Sequence, residues 1–142
     1  MDIIVRENYE EMSEYAAGVI GRFVRNKPYC VLGLATGSTP IGTYRRLIKM
    51  HREGLDFSKV VAFNLDEYIG VGINLDVPYE VDQSYARFMH EELFSHINVK
   101  KENIHIPDGL TKDPTGFCSW YEEEIKRAGG IDLQLVGIGG DG

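Results

Sequence analysis

The sequence predicts an α/β domain with a mainly parallel sheet flanked by helices, and three observations carry that prediction. Helical patterns with apolar residues every three to four positions alternate along the chain with short apolar runs. Those runs do not alternate polar with apolar, as expected of strands covered on both faces. The strand-like runs and helical patterns alternate in order, as strand–helix–strand units require. With 142 residues, 43% of them hydrophobic and 26% charged, the chain has the size and composition of one globular domain, residues 1–142.

The elements follow in order. Ile3-Ile4-Val5 reads as a short, edge-like strand. From Tyr9 to Arg25 the apolar positions Met12, Tyr15, Ala16, Val19, Ile20 and Phe23 recur at helical spacing, and the helix ends before Pro28. Tyr29 to Ala35 is a buried strand. A helix begins near Pro40, a residue suited to a first turn, and carries Tyr44, Leu47, Ile48 and His51 on one side until Gly54. Val60 to Leu65 is the next buried strand, followed by a long, polar, glycine-containing loop from Ile69 to Val81. Helical spacing resumes from Asp82 to His96. Ile104-His-Ile106 is a short strand, Pro114 to Arg127 a helix, and Ile131 to Val136 a strand running into Gly137-Ile-Gly-Gly-Asp-Gly142.

Composition excludes several classes. A net charge of −7 argues against a nucleic-acid surface, which normally carries a basic stripe. The amino terminus has acids and no long apolar run, and the longest uncharged stretch, Pro28 to Tyr44, is interrupted by glycines, prolines and hydroxyl residues that a bilayer would not accept. The expectation is a cytoplasmic protein with no membrane partner. Cys30 and Cys118 stand far apart and read as reduced thiols. The scattered His51, His90, His96 and His105 form no ligand set, so no metal is assigned.

Ligands of parallel α/β sheets bind beyond the carboxyl ends of the strands, and three such ends here are chemically unusual. In Thr36-Gly37-Ser38-Thr39-Pro40, glycine permits a tight turn, the hydroxyls offer donors and the proline opens a helix whose first amides lack partners. That combination makes an anion site, with phosphate the leading guest. The plainer reading is a hydroxyl N-cap at an ordinary strand-to-helix turn. A Walker loop is excluded because Thr43 stands where the lysine belongs. Asp66-Glu67, beyond the second buried strand, offers adjacent carboxylates, of which one is expected to face the pocket as a general base; otherwise Asp66 caps the turn and Glu67 is solvated. Gly137 to Gly142 matches G-x-G-x-x-G literally, but it follows the last strand instead of opening a helix after the first, so no dinucleotide is assigned. Asp141 carries the same ambiguity as Asp66. Tyr68, Tyr79 and Tyr85 are candidates for sugar contact, with Tyr85 equally readable as core, while Trp120 and Tyr121 read as helix packing.

These strand ends, in this order and spacing, closely resemble the glucosamine-6-phosphate deaminase family of sugar-phosphate isomerases. The resemblance rests on Leu32-Gly-Leu-Ala-Thr-Gly-Ser-Thr-Pro40, Phe63-Asn-Leu-Asp-Glu-Tyr-Ile-Gly70, Gln83-Ser-Tyr-Ala-Arg-Phe-Met89 and Gly137-Ile-Gly-Gly-Asp-Gly142. It covers essentially the whole chain but only somewhat more than half of the family's length, and it implies a Rossmann-like fold cut after the strand at 131–136. It also implies conversion of glucosamine 6-phosphate to fructose 6-phosphate and ammonia, by ring opening and aldose–ketose isomerisation, without metal or other cofactor. Asp66 falls on the family's base that moves a proton from C2 to C1, and Asp141 on the aspartate that orients a ring-opening histidine. Thr36, Gly37, Ser38 and Thr39 fall on the phosphate cradle, and Tyr85 on a tyrosine near the substrate. Glu67, Gly137 and Gly139 complete the expected substrate-binding set. That histidine, a later glutamate and the downstream lysine and arginine that help clamp phosphate have no counterpart within the 142 residues, so the isolated chain is expected to be inactive.

The nearest rival is 6-phosphogluconolactonase, which shares the fold and a similar turn. Its counterpart of the acidic pair is typically followed by arginine, so Tyr68 favours the deaminase. A catalytically silent sugar-phosphate sensor and a non-enzymatic interaction fragment complete the alternatives. Leaving the strands at 60–65 and 131–136 partly bare forgoes roughly 25 cal/mol per Å² of apolar surface left unburied, so association into homo-oligomers is expected.

Overall fold

The computed structural model of the protein describes residues 2–71 and 84–138. Four helices and four strands alternate: α1 Tyr9–Asn26, β1 Val31–Leu34, α2 Ile41–Arg52, β2 Val61–Asn64, α3 Tyr85–Glu92, β3 Ile104–His105, α4 Pro114–Arg127 and β4 Leu133–Leu135. Short 3₁₀ turns at Phe94–His96 and Lys101–Asn103 join α3 to β3. The strands form one parallel sheet in the order β3-β2-β1-β4. The chain leaves β1 towards β2 and β3, then crosses back to β4, and this reversal beside β1 opens the crevice in which such sheets bind ligands.

Burial explains why each face folds as it does. Leu32 and Leu34 of β1 and Ala62 of β2 pack with Ala17, Ile20 and Val24 of α1, Tyr44, Leu47 and Ile48 of α2 and Met89 of α3. On the opposite face, Val31 and Phe63 meet Tyr121 of α4, with Phe117 and Ile125 beside it. Every residue of β1 is buried, as its uniformly apolar sequence predicts. At the opposite ends of β1 and β4 from the crevice, Asp132 accepts the Val31 N–H at 2.9 Å and pairs with Lys27 at 2.6 Å; these partners hold its carboxyl below the usual carboxylate range. Among the described residues, no helix is long and apolar enough to cross a membrane.

The helix over 114–127 matches its predicted bounds, with Asp113 capping and Pro114 in the first turn. Other boundaries differ for identifiable reasons. Ile3, Ile4 and Val5 form no strand; they are exposed, because a three-residue apolar run needs a sheet neighbour and none of the described strands pairs with it. The helix expected from Asp82 begins at Tyr85, where the Ser84 hydroxyl caps the Arg87 N–H, and its apolar period passes beyond Glu92 into a 3₁₀ turn that still buries Leu93 and Phe94. The strand expected at 29–35 shortens to 31–34, with Tyr29 in solvent, and the one at 131–136 to 133–135, with Val136 exposed. Trp120 is also half-exposed, touching the Phe117 and Tyr121 rings by one side only.

Candidate active site

The turn after β1 owes its shape to one backbone angle and one buried phenol. Gly37 sits at φ +87°, the left-handed region that side chains other than hydrogen resist. Just before it, the buried Tyr44 hydroxyl donates to the Ala35 carbonyl, and burial pushes that phenol well above its usual range. Pro40 then caps α2 without an N–H of its own. Gly137, just beyond β4, lies against Thr39: a Cβ placed on it would be 3.4 Å from Thr39 Cβ. The reversal in strand order thus brings together two residues that stand far apart in the sequence.

The loop after β2 is built differently. Glu67 turns its carboxylate to the start of α3, where one oxygen accepts Tyr85 N–H at 3.0 Å and Tyr68 N–H at 2.9 Å, and the other accepts Ala86 N–H at 3.0 Å and the Ser84 hydroxyl at 3.1 Å. A carboxylate there complements the unpaired amides and the positive end of the helix dipole. The expectation of Glu67 as a substrate-binding residue therefore meets a group whose acceptor directions are already filled by protein donors; it orients Tyr85. The same loop is pinned to the segment after β3 by Gly70 N–H donating to Gly109 O at 2.8 Å. The approach is so close that a Cβ on Gly109 would fall 1.9 Å from the Tyr68 carbonyl oxygen.

Tyr85 reaches back to the loop after β2. Its hydroxyl donates to the Tyr68 hydroxyl at 2.9 Å, with the two ring centroids 4.7 Å apart. The Tyr68 bond and burial raise the Tyr85 phenol, and the negative charge of Asp66 adds to the rise. Asp66 itself is raised above the usual carboxylate range, first by its partial withdrawal from water and then by the neighbouring Glu67 charge. Raising a carboxyl in this way makes its ionised form a stronger base. Asp66 also borders a cleft of about 300 Å³ on the α4 side, with Leu65, Pro107, Phe117 and Tyr121.

Tyr85 is therefore brought against Tyr68, two residues beyond Asp66, and Gly137 is placed against Thr39. Gly139, Asp141 and Tyr79 lie outside the described residues. Tyr121 does more than pack: its buried hydroxyl lies 2.9 Å from the carbonyls of both Asn64 and His105, tying α4 to the carboxyl ends of β2 and β3. Nothing local in the sequence marks Ser84, Gly109 or the Tyr121 hydroxyl for these parts, because their partners lie 16 or more residues away or depend on a loop-to-loop approach.

The chain, a parallel α/β sheet with a hydroxyl-bearing turn after β1 and an acidic loop after β2, belongs to the family described as glucosamine-6-phosphate isomerases/6-phosphogluconolactonase, whose profile matches residues 6–142. Among its relatives, the glucosamine-6-phosphate deaminase of Thermoanaerobacter sp. (strain X514) is 54% identical over 143 aligned positions, covering all of this chain and 54% of that protein. The protein of the same name from Clostridium tetani is 51% identical, with all of this chain and 57% of that protein covered. A solved structure described as a monomeric glucosamine-6-phosphate deaminase superposes with a TM-score of 0.90 at 39% identity, covering 98% of this chain and 56% of the other. The 6-phosphogluconolactonase of Thermotoga maritima superposes with a TM-score of 0.71 at 26% identity, covering 96% and 59%. The chain spans about half the length of the curated relatives it matches.

Proposed function

We propose that the complete protein carrying this chain is a glucosamine-6-phosphate deaminase, converting glucosamine 6-phosphate and water to fructose 6-phosphate and ammonia. The observation that carries the reading is the placement of Tyr85, whose N–H is held by Glu67 and whose hydroxyl bonds Tyr68, two residues beyond Asp66. The names of the relatives support it, as does Tyr68, which is engaged with Tyr85 at the position where the lactonase pattern has arginine. In this reading the Thr36 hydroxyl and the Gly37, Ser38 and Thr39 amides hold the phosphate at the positive end of α2, with Gly137 and Gly139 flanking it. Asp66 takes the C2 proton and returns it to C1. A carboxylate abstracts a carbon-bound proton only when the adjacent carbonyl acidifies that carbon and the base is fixed in place, so much of the rate comes from positioning. Asp141 orients a ring-opening group supplied by the part of the protein beyond this chain. Residues 1–142 are one sugar-phosphate isomerase-like domain portion, inactive alone, of a cytoplasmic enzyme that forms homo-oligomers.

The test is Asp66→Asn in the complete protein. Ammonia release should fall by about 10²- to 10⁴-fold while glucosamine 6-phosphate still binds; equal loss of binding would identify Asp66 as a structural cap. Because the raised carboxyl must be ionised to act, wild-type kcat should decline as pH falls through a limb above the ordinary carboxylate range. The native state also holds that proton more tightly than the unfolded chain does, so this group costs stability as pH rises through the same window, and the asparagine variant should lose that dependence.

A further inference from the structure

The turn assigned to phosphate is braced from behind by a residue distant in sequence. Tyr9, the first residue of α1, brings its hydroxyl to three backbone groups: it accepts the Gly42 N–H at 2.8 Å and lies 3.0 Å from the carbonyl oxygens of both Ser38 and Thr39, which share its proton. The fit is close, since a Cβ on Gly42 would come 2.8 Å from Tyr9 Cε1 and 2.3 Å from Ser13 Oγ.

This contact divides the turn's polar groups between two sides. A helix start leaves its first amides without intrahelical partners, and Tyr9 takes the one belonging to Gly42. Among the described residues, no acceptor bonds the amides of Gly37, Ser38 or Thr39. In a trans peptide the C=O and the following N–H point in opposite directions. Holding the Ser38 carbonyl towards Tyr9 therefore points the Thr39 N–H away from Tyr9, and it keeps a carbonyl oxygen, which would repel an anion, from swinging to that side.

We propose that Tyr9 is a positioning residue for phosphate binding, its hydroxyl fixing the Ser38–Thr39 peptide so that the turn presents N–H groups to the anion. This rests on the phosphate reading above. The experiment titrates inorganic phosphate, and separately glucosamine 6-phosphate, into the complete protein and its Tyr9→Phe and Ser13→Ala variants by calorimetry, well below each melting temperature. Tyr9→Phe keeps the ring and removes only the hydroxyl; it should raise the Kd for both ligands about three- to tenfold and raise KM with kcat within about twofold. Ser13, whose buried hydroxyl has no hydrogen-bond partner, is the control that should leave both affinities unchanged. A lower melting temperature with unaltered phosphate affinity in Tyr9→Phe would reduce Tyr9 to a structural contact and overturn the proposal. So would an equal loss of affinity in Ser13→Ala, which would place the effect in the helix seam. If wild type binds glucosamine 6-phosphate and phosphate but the phenylalanine variant matches it, this inference alone fails; if wild type binds neither, the phosphate reading fails and takes this one with it.

Discussion

The turn after β1 and the loop after β2 are neighbours at one sheet edge, yet they are held by different chemistry. The first is fixed from outside by neutral phenols, Tyr44 on the Ala35 carbonyl and Tyr9 on the Ser38 and Thr39 carbonyls and the Gly42 amide. The second is fixed by a carboxylate, Glu67, seated on the amides that open α3, and by a backbone-to-backbone approach at Gly109. The difference teaches a division of labour. On the proposed reading, the turn that receives an anion is braced by groups without charge, so its positive dipole stays available to the ligand. In the loop after β2, Glu67 serves as the anion for α3, and its charge adds to the rise of the neighbouring Asp66.

The sharpest way to break this contrast is Gly109→Val. Its Cβ would meet the Tyr68 carbonyl, a backbone atom with little room to yield, so the complete protein should lose about 3 kcal/mol in urea unfolding, and the Tyr68–Tyr85 pair should separate. Phosphate affinity should change far less than turnover, because the β1 turn does not touch Gly109. Glu67→Gln comes next. The amide replaces one of the two acceptor oxygens with an NH2 that faces donors, so α3 should lose about 2 kcal/mol of anchoring, read as faster exchange of the Tyr85 and Ala86 amides with the β1 turn unaffected. Tyr44→Phe sharpens the other half: it strips the Ala35 carbonyl of its partner and should cost about 1 kcal/mol in thermal unfolding, with the exchange of the α3 amides unchanged. Were Glu67→Gln to weaken phosphate binding as strongly as Tyr9→Phe, the two regions would be one unit and the contrast would fall.

How much of this was legible in the sequence follows from the range of the interactions. The parallel order, the buried character of 31–34 and 61–64 and the cap at 113–114 are local or periodic, and the residues announce them. Thr36, Asp66 and Tyr85 were recognisable as candidates from residue type at strand ends and a helix start, and the resemblance put them on one site. The hold of Glu67 on α3 is not legible locally because it depends on amides 18 and 19 positions downstream. From the sequence Tyr9 shows only as the start of an amphipathic helix, since its partners lie 29 to 33 positions away. Ile3 to Val5 failed for the opposite reason: the residues favour a strand, but strand formation requires an adjacent edge, which a propensity cannot supply.

Gly37 carries one further consequence, for the route by which the turn could diversify. A Cβ built there meets nothing within 4 Å, so space does not exclude other residues; only the positive φ does. Asparagine and aspartate tolerate that region best among the chiral amino acids, and aspartate would set a negative charge where an anion is to sit. Sequence drift through this position should therefore pass by way of asparagine, leaving a lineage that keeps its ligand while a glycine disappears from the motif by which it would be recognised.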